Sequence, residues 1–184
     1  MRWIVTVGVI AGALLASVAP GAAGSGTPSL RLTQRVTSFA GLRSNTTPTA
    51  VTSVAAWAKS TGASAATLRG WGFAGGVSDQ LDTPDNPNRY GLSSVVELSS
   101  TADANAYLKR IYSTGGPWKH FAVAGIPGAV GFEEAHGGDG GSNVVFTIGP
   151  YGYLLGVGWQ GGNSNEIANA TLIAAAHKLS TRDR

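Results

Sequence analysis

The stretch Phe121–Trp159 reads FAVAGIPGAVGFEEAHGGDGGSNVVFTIGPYGYLLGVGW. Two segments near its end, Asn143–Ile148 and Tyr153–Trp159, have the composition of strands, and Gly149-Pro150-Tyr151-Gly152 lies between them. Proline at the second turn position pre-sets φ and glycine is common at the fourth, so the pair is predicted to be a hairpin closed by a type I turn. Side chains alternate with period two. Val144, Phe146 and Ile148 therefore share one face of the first strand. Tyr153, Leu155, Val157 and Trp159 share one face of the second, with Leu154, Gly156 and Gly158 on the other. Neither strand carries a formal charge, so at least one side is expected to be buried. The glycine face has two readings. A helix packs closely on the bare backbone, or the glycines floor a site for a flat ligand beneath Tyr153 and Trp159, the candidate ligand-binding residues.

Upstream, Phe121–Ile126 and Ala129–Ala135 read as strands joined at Pro127-Gly128, and His136–Ser142 reads as a glycine-rich loop. Glu133, Glu134, His136 and Asp139 form the chain's one compact polar cluster, a candidate divalent-metal site or acid–base pair. Strand parity puts Glu133 and Glu134 on opposite faces, so only one of them can join His136 and Asp139. The plain alternative is a charged strand end running into a solvated loop. Gly137–Gly141 lacks the Lys-Ser/Thr and following helix of a phosphate loop, and the chain has no G-x-S-x-G, S-x-x-K or H-E-x-x-H motif. His120 stands at a strand mouth. His177 stands near the end of the last helix, where the macrodipole favours it.

Further from the hairpin, Val51, Val54, Trp57 and Ala58 recur at helical spacing, with Thr52 or Ser53 as cap, and a short turn over Ala63–Arg69 follows. Phe73–Leu81 reads as a strand. Asp82–Tyr90 is a loop by its Pro, Asp and Asn content. Asp82, Asp85, Asn86 and Asn88 do not match the spacing of a calcium-binding EF-hand loop, and a solvated turn accounts for them. Leu92–Leu98 is a strand. Ser100 and Asp103 then make a capping box for a helix that buries Ala104, Tyr107, Leu108 and Ile111. The last helix, capped by Asn163 and Glu166, has an alanine-rich stripe (Ala168, Leu172, Ala175, Ala176, Leu179) suited to covering the glycine face of the hairpin. The expected fold is α+β, an antiparallel sheet of about five strands with packed helices. Gly72-Phe73 to Thr114 and Gly131-Phe132 to Thr181 suggest two strand-strand-helix units, the second with an extra strand.

Residues 1–23 have the plan of a secretory signal peptide. Arg2 is followed by an apolar run, Trp3–Ala19, and by the small residues Gly21-Ala22-Ala23. The competing reading is an uncleaved anchor, for which the apolar run is short. Residues 24–49 read as a flexible leader with one short ordered piece over Leu30–Leu42, and 50–184 as a single α+β domain. The expected location is thus secreted or extracytoplasmic. The chain has no cysteine, which excludes disulfides, thiolate catalysis and a lipid anchor on cysteine. Charged residues are 12%, well under the usual quarter. Ala, Gly and Arg are favoured, as in a GC-rich, actinobacterial genome. A net charge of +3 with no Lys/Arg cluster argues against nucleic-acid binding. No cofactor is indicated. The membrane enters only through an uncleaved N-terminus.

The layout over Val51–Leu179, carried by Gly72-Phe73, Ser94-Val95-Val96-Glu97-Leu98 before a helix, and IPGAVGF (126–132) before NVVFTIG (143–149), resembles secreted actinobacterial α+β domains. The extracellular sensor domains of mycobacterial Ser/Thr kinases and the PsbP-like secreted lipoproteins are such domains. The first use disulfides and the second a lipid-bearing cysteine, neither of which this chain has. The resemblance implies a non-enzymatic envelope or secreted binding domain and brings no site residue with it. The leading expectation is therefore a non-catalytic binding module for a small molecule, envelope component or protein. The alternatives are a hydrolase or metal-dependent enzyme built on Glu133 or Glu134, His136 and Asp139, and a structural secreted protein with no small ligand.

Overall fold

The computed structural model describes residues 38–44, 50–113, 118–136, 138–162, 164 and 166–183, with the side chains of Ala135 and His136 outside that set. The expected signal peptide and most of the expected leader also lie outside the described residues. Eight strands form one sheet: β1 (Ser38–Phe39), β2 (Leu42–Ser44), β3 (Gly75–Asp82), β4 (Arg89–Glu97), β5 (Lys119–Ala122), β6 (Val130–His136), β7 (Asp139–Ile148) and β8 (Tyr151–Trp159). Their order is β1-β2-β3-β4-β8-β7-β6-β5, and every neighbouring pair is antiparallel. Four helices accompany them: α1 (Val54–Thr61), α2 (Ala65–Gly70), α3 (Thr101–Ser113) and α4 (Asn169–Arg182). The α+β class and the antiparallel sheet match the sequence reading; the count of about five strands does not. Two of the additional strands, β1 and β2, come from the segment read as leader, where Leu42 is fully buried.

The second difference lies in the glycine-rich run. Asp139–Ser142 is not loop but the start of β7, and only residues 137 and 138 separate β6 from β7. The glycines are tolerated in the strands because aromatic rings from the neighbouring strand lie over them. Trp159 covers its register partner Gly140, Tyr90 covers Gly158, and Phe121 covers Gly131. A bare strand position thus receives the packing surface of its cross-strand neighbour. The β7–β8 loop is also two residues tighter than expected. Gly149 and Pro150 alone connect the strands, and Gly149 has the φ of +56° that a two-residue hairpin loop requires at its first position.

The sheet is covered on both faces. On one face Val95, Phe146, Tyr153 and Leu155 pack with Leu172, Ala176 and Leu179 of α4. On the other, Leu92, Val96, Val145 and Leu154 pack with Trp57 of α1, Leu68 of α2 and Tyr107 and Leu108 of α3. Leu172, Ala175, Ala176 and Leu179 of the α4 stripe are buried as their spacing predicts, whereas Ala168 is the exposed N-cap; the stripe covers the aromatic face of β8 and not the glycine face. Volume matching gives the reason. The small face of α4 fits the large side chains of β8, and the large residues of α3 fit over Gly152, where a Cβ would stand 3.2 Å from Val96 and 3.4 Å from Leu108. The two expected units, β3-β4-α3 and β6-β7-β8-α4 with its extra strand, meet at the β4–β8 pair, yet their helices lie on opposite faces.

Helix starts follow local chemistry. Ser53 and Ser64 cap α1 and α2 by accepting from Ala56 and Thr67 N–H, and Gly62 ends α1 at φ +67°. Ser100 and Asp103 bond reciprocally at the start of α3. The start of α4 departs from the expected Asn163–Glu166 box. The helix begins at Asn169, its N-cap Ala168 has no side-chain cap, and the Asn169 amide donates instead to the carboxylate of Glu133 on β6. An anion is favourable at a helix N-terminus, so β6 supplies what the local sequence omits.

Candidate functional site

The residues singled out in the sequence fall in three environments. Tyr153 is fully buried and stacked on Phe146 with ring centres 4.9 Å apart, and Trp159 lies over Gly140 at 4% exposure. Both belong to the core packed with α4, away from the glycine face. Glu133 faces α4 and bonds Asn169, and it also pairs with Lys119 at 3.0 Å. These partners hold its carboxyl below the usual range, the Asn169 bond most of all, against a smaller opposing effect of burial. Glu134 is on the opposite face. Asp139 accepts from the Gly161 N–H at 2.8 Å, and the backbone of His136 pairs with it in register. The side chain of His136 lies outside the described residues, and among the described residues no three His, Asp or Glu side chains form a metal-binding group.

The geometry that suits a ligand lies instead on both sides of α3. The helix rides on a ridge where Leu108 meets Gly152 and Val96. Towards β3 and β4 it leaves a narrow cavity of about 30 Å³ bordered by the hydroxyl residues Ser60, Thr61, Ser78, Ser94 and Tyr107. That is room for about two waters. Burial pushes the Tyr107 phenol up to about 12, opposed by its neighbours Trp57 and Thr61.

Towards β6 and β7 it leaves a larger cleft of about 250 Å³. Asn105, Leu108, Lys109 and Tyr112 line its helix side at i, i+3, i+4 and i+7, a single helical stripe. Val130 and Val145, paired in register on β6 and β7, form the floor, and Gly128 closes one end at φ +72°. Thr147 donates to Asn105 Oδ1 at 3.1 Å and so fixes the amide over the end of β7. Tyr112 is held by an edge contact to His120 and a tilted contact to Phe132, with ring centres 5.9 and 6.2 Å away. An apolar floor under a rim of a few polar groups is the usual build of a small-molecule site. Sequence reasoning missed it because Asn105 and Lys109 read as the solvent side of an amphipathic helix. Both residues are indeed exposed, and only the approach of β6, more than fifteen residues further on, makes that side the rim of a cleft.

No helix among the described residues is long and apolar enough to cross a membrane. No family model matches the chain, and no curated protein matches it. Among solved structures, the fold is similar to the extracellular domain of PknH from Mycobacterium tuberculosis. The two share 15% identity with a TM-score of 0.44, over 63% of this chain and 69% of that one. That domain is of the first of the two kinds whose layout the sequence resembles.

Proposed function

We propose that this protein is an extracytoplasmic, non-catalytic binding module that holds a small molecule in the cleft between α3 and the β6–β7 pair. The observation that carries the reading is the cleft itself. About 250 Å³ of space lies over Val130 and Val145, with Asn105, Lys109 and Tyr112 along one wall. The secretory plan of residues 1–23 supports the location. A binder needs little more than such a site on a rigid scaffold, and here both walls belong to regular elements.

The test is a thermal-shift screen of the full chain against apolar acids, alcohols, amines and sugars. Ala106→Phe serves as the comparison, since Ala106 is half-buried on the cleft wall and a ring there fills the space. A ligand that binds only the folded state raises the melting temperature by mass action. The expected result is a shift in the parent chain that Ala106→Phe removes. Shifts that persist unchanged in Ala106→Phe would place binding elsewhere and defeat the reading.

A further inference from the structure

We infer that the ligand of this cleft is an amphiphilic monocarboxylate, its carboxylate taken by Asn105 and Lys109 and its apolar tail laid over Val130, Val145 and Leu108. The inference rests on the cleft being the binding site, as proposed above, and adds the chemistry it selects. The rim offers donors. The Asn105 carbonyl oxygen is already engaged by the Thr147 hydroxyl, so the amide NH₂ is the part left to meet a ligand. Lys109, one turn further along α3, carries three donors and no acceptor, and among the described residues no carboxylate pairs with it. Residues four apart on a helix are neighbours, about 5–6 Å between Cβ atoms. The two groups can therefore meet the two oxygens of one carboxylate.

The rest of the cleft sets the tail. No acidic residue lines it, and its floor is aliphatic. An apolar cavity of ~150 Å³ holds a benzene-sized molecule, so about 250 Å³ takes a tail of about eight carbons. A cationic amphiphile of the same length would place its charge beside Lys109. A neutral alcohol would fill the floor but leave the lysine with water. The carboxylate should therefore win by about tenfold, the scale of one partly solvated hydrogen bond to a charged group.

The experiment measures octanoate and 1-octanol binding by calorimetry to the full chain, to Lys109→Met and to Ala106→Phe. It also follows acetylation of Lys109 by mass spectrometry with and without octanoate. The expected result is octanoate about tenfold tighter than octanol, a gap that closes in Lys109→Met, and weak binding of both probes to Ala106→Phe. Octanoate should protect the exposed Lys109 from acetylation while Lys59 and Lys178, exposed likewise, react as before. Equal affinities for the two probes, or an unchanged gap in Lys109→Met, would overturn the carboxylate assignment yet leave the cleft standing if Ala106→Phe still abolishes both. Binding unaffected by Ala106→Phe would overturn the cleft and this inference together. Absence of octanoate binding, with Lys109 unprotected, would overturn the inference alone. Should Ala106→Phe fail to fold, protection of Lys109 in the parent chain decides the question.

Discussion

Replacing Gly158 by alanine tests the idea that cross-strand rings stand in for the missing side chains of the glycine strands. A Cβ at position 158 would lie 2.3 Å from Cζ, 2.4 Å from Cε2 and 2.6 Å from the hydroxyl of Tyr90. Ordinary carbon contacts are about 3.5–4.0 Å, so the ring must lift by about 1 Å or more. Tyr90 is half-buried and can lift towards solvent, at the loss of its packing on β8. Overpacking of this kind costs about 1–3 kcal/mol. In a Tyr90→Ala background the same methyl meets no ring, and relief of glycine's backbone entropy should then stabilise the strand by about 0.5–1 kcal/mol. The coupling between the two sites is thus about 1.5–4 kcal/mol, well above the 0.3–0.5 kcal/mol scatter of independent sites. Urea unfolding of the four proteins reads it as midpoint shifts at unchanged slope. A second readout is the Tyr90 phenol. Burial, and to a smaller degree the Asp139 charge, holds its pKa above the ordinary value, so lifting the ring should bring it down. A neutral Gly158→Ala in the parent background, or an additive cycle, would refute the reasoning.

Other consequences can be checked in the same unfolding assay. Glu133→Gln should flatten the acid limb of the stability profile. The folded-state pKa of Glu133 is depressed, so its stabilisation is present above the unfolded carboxyl pKa and is lost as pH falls through the lower folded value. A variant whose acid limb matches the parent would contradict this. Tyr107, pushed up to about 12, works in the opposite direction. Its contribution is complete below the unfolded value near 10 and declines as pH rises from there towards 12, so Tyr107→Phe should lessen the alkaline loss. Leu172→Ala, at a fully buried position on the sheet-facing side of α4, should lower stability by about 2–5 kcal/mol; a loss under ~1 kcal/mol would mean that α4 is not docked on the aromatic face. Ser100→Ala should cost about 1 kcal/mol by uncapping α3, and calorimetry of octanoate binding would show whether a frayed α3 also loosens the cleft.

Much of the chain's architecture is local and therefore legible. The capping pair Ser100–Asp103 and the stripe Ala104, Tyr107, Leu108 define α3 with no knowledge of its surroundings. The same holds for the strand at Leu92–Leu98 and for the parity that separates Glu133 from Glu134. The glycine-rich run was misread because a glycine does not state whether it is free or covered. Gly140 and Gly141 look like loop until Trp159 and the facing strand are placed beside them, nearly twenty residues along the chain. The α4 cap was misread for a related reason, since its anion comes from β6. The assignment of α4 to a face needed volume matching between layers, which no single segment carries.

The sequence by itself determined the α+β class, the antiparallel hairpins and the positions of most helices. Those properties follow from periodicity, capping and turn chemistry within a few residues of one another. Only the tertiary structure decided that eight strands join, that Tyr153 and Trp159 face α4, and that Asn105 and Lys109 overhang Val130 and Val145. A cleft is the space left where two separately legible surfaces fail to meet. Its shape depends on how closely a helix can approach a sheet, and here Leu108 of α3 meets the sheet at the bare backbone of Gly152.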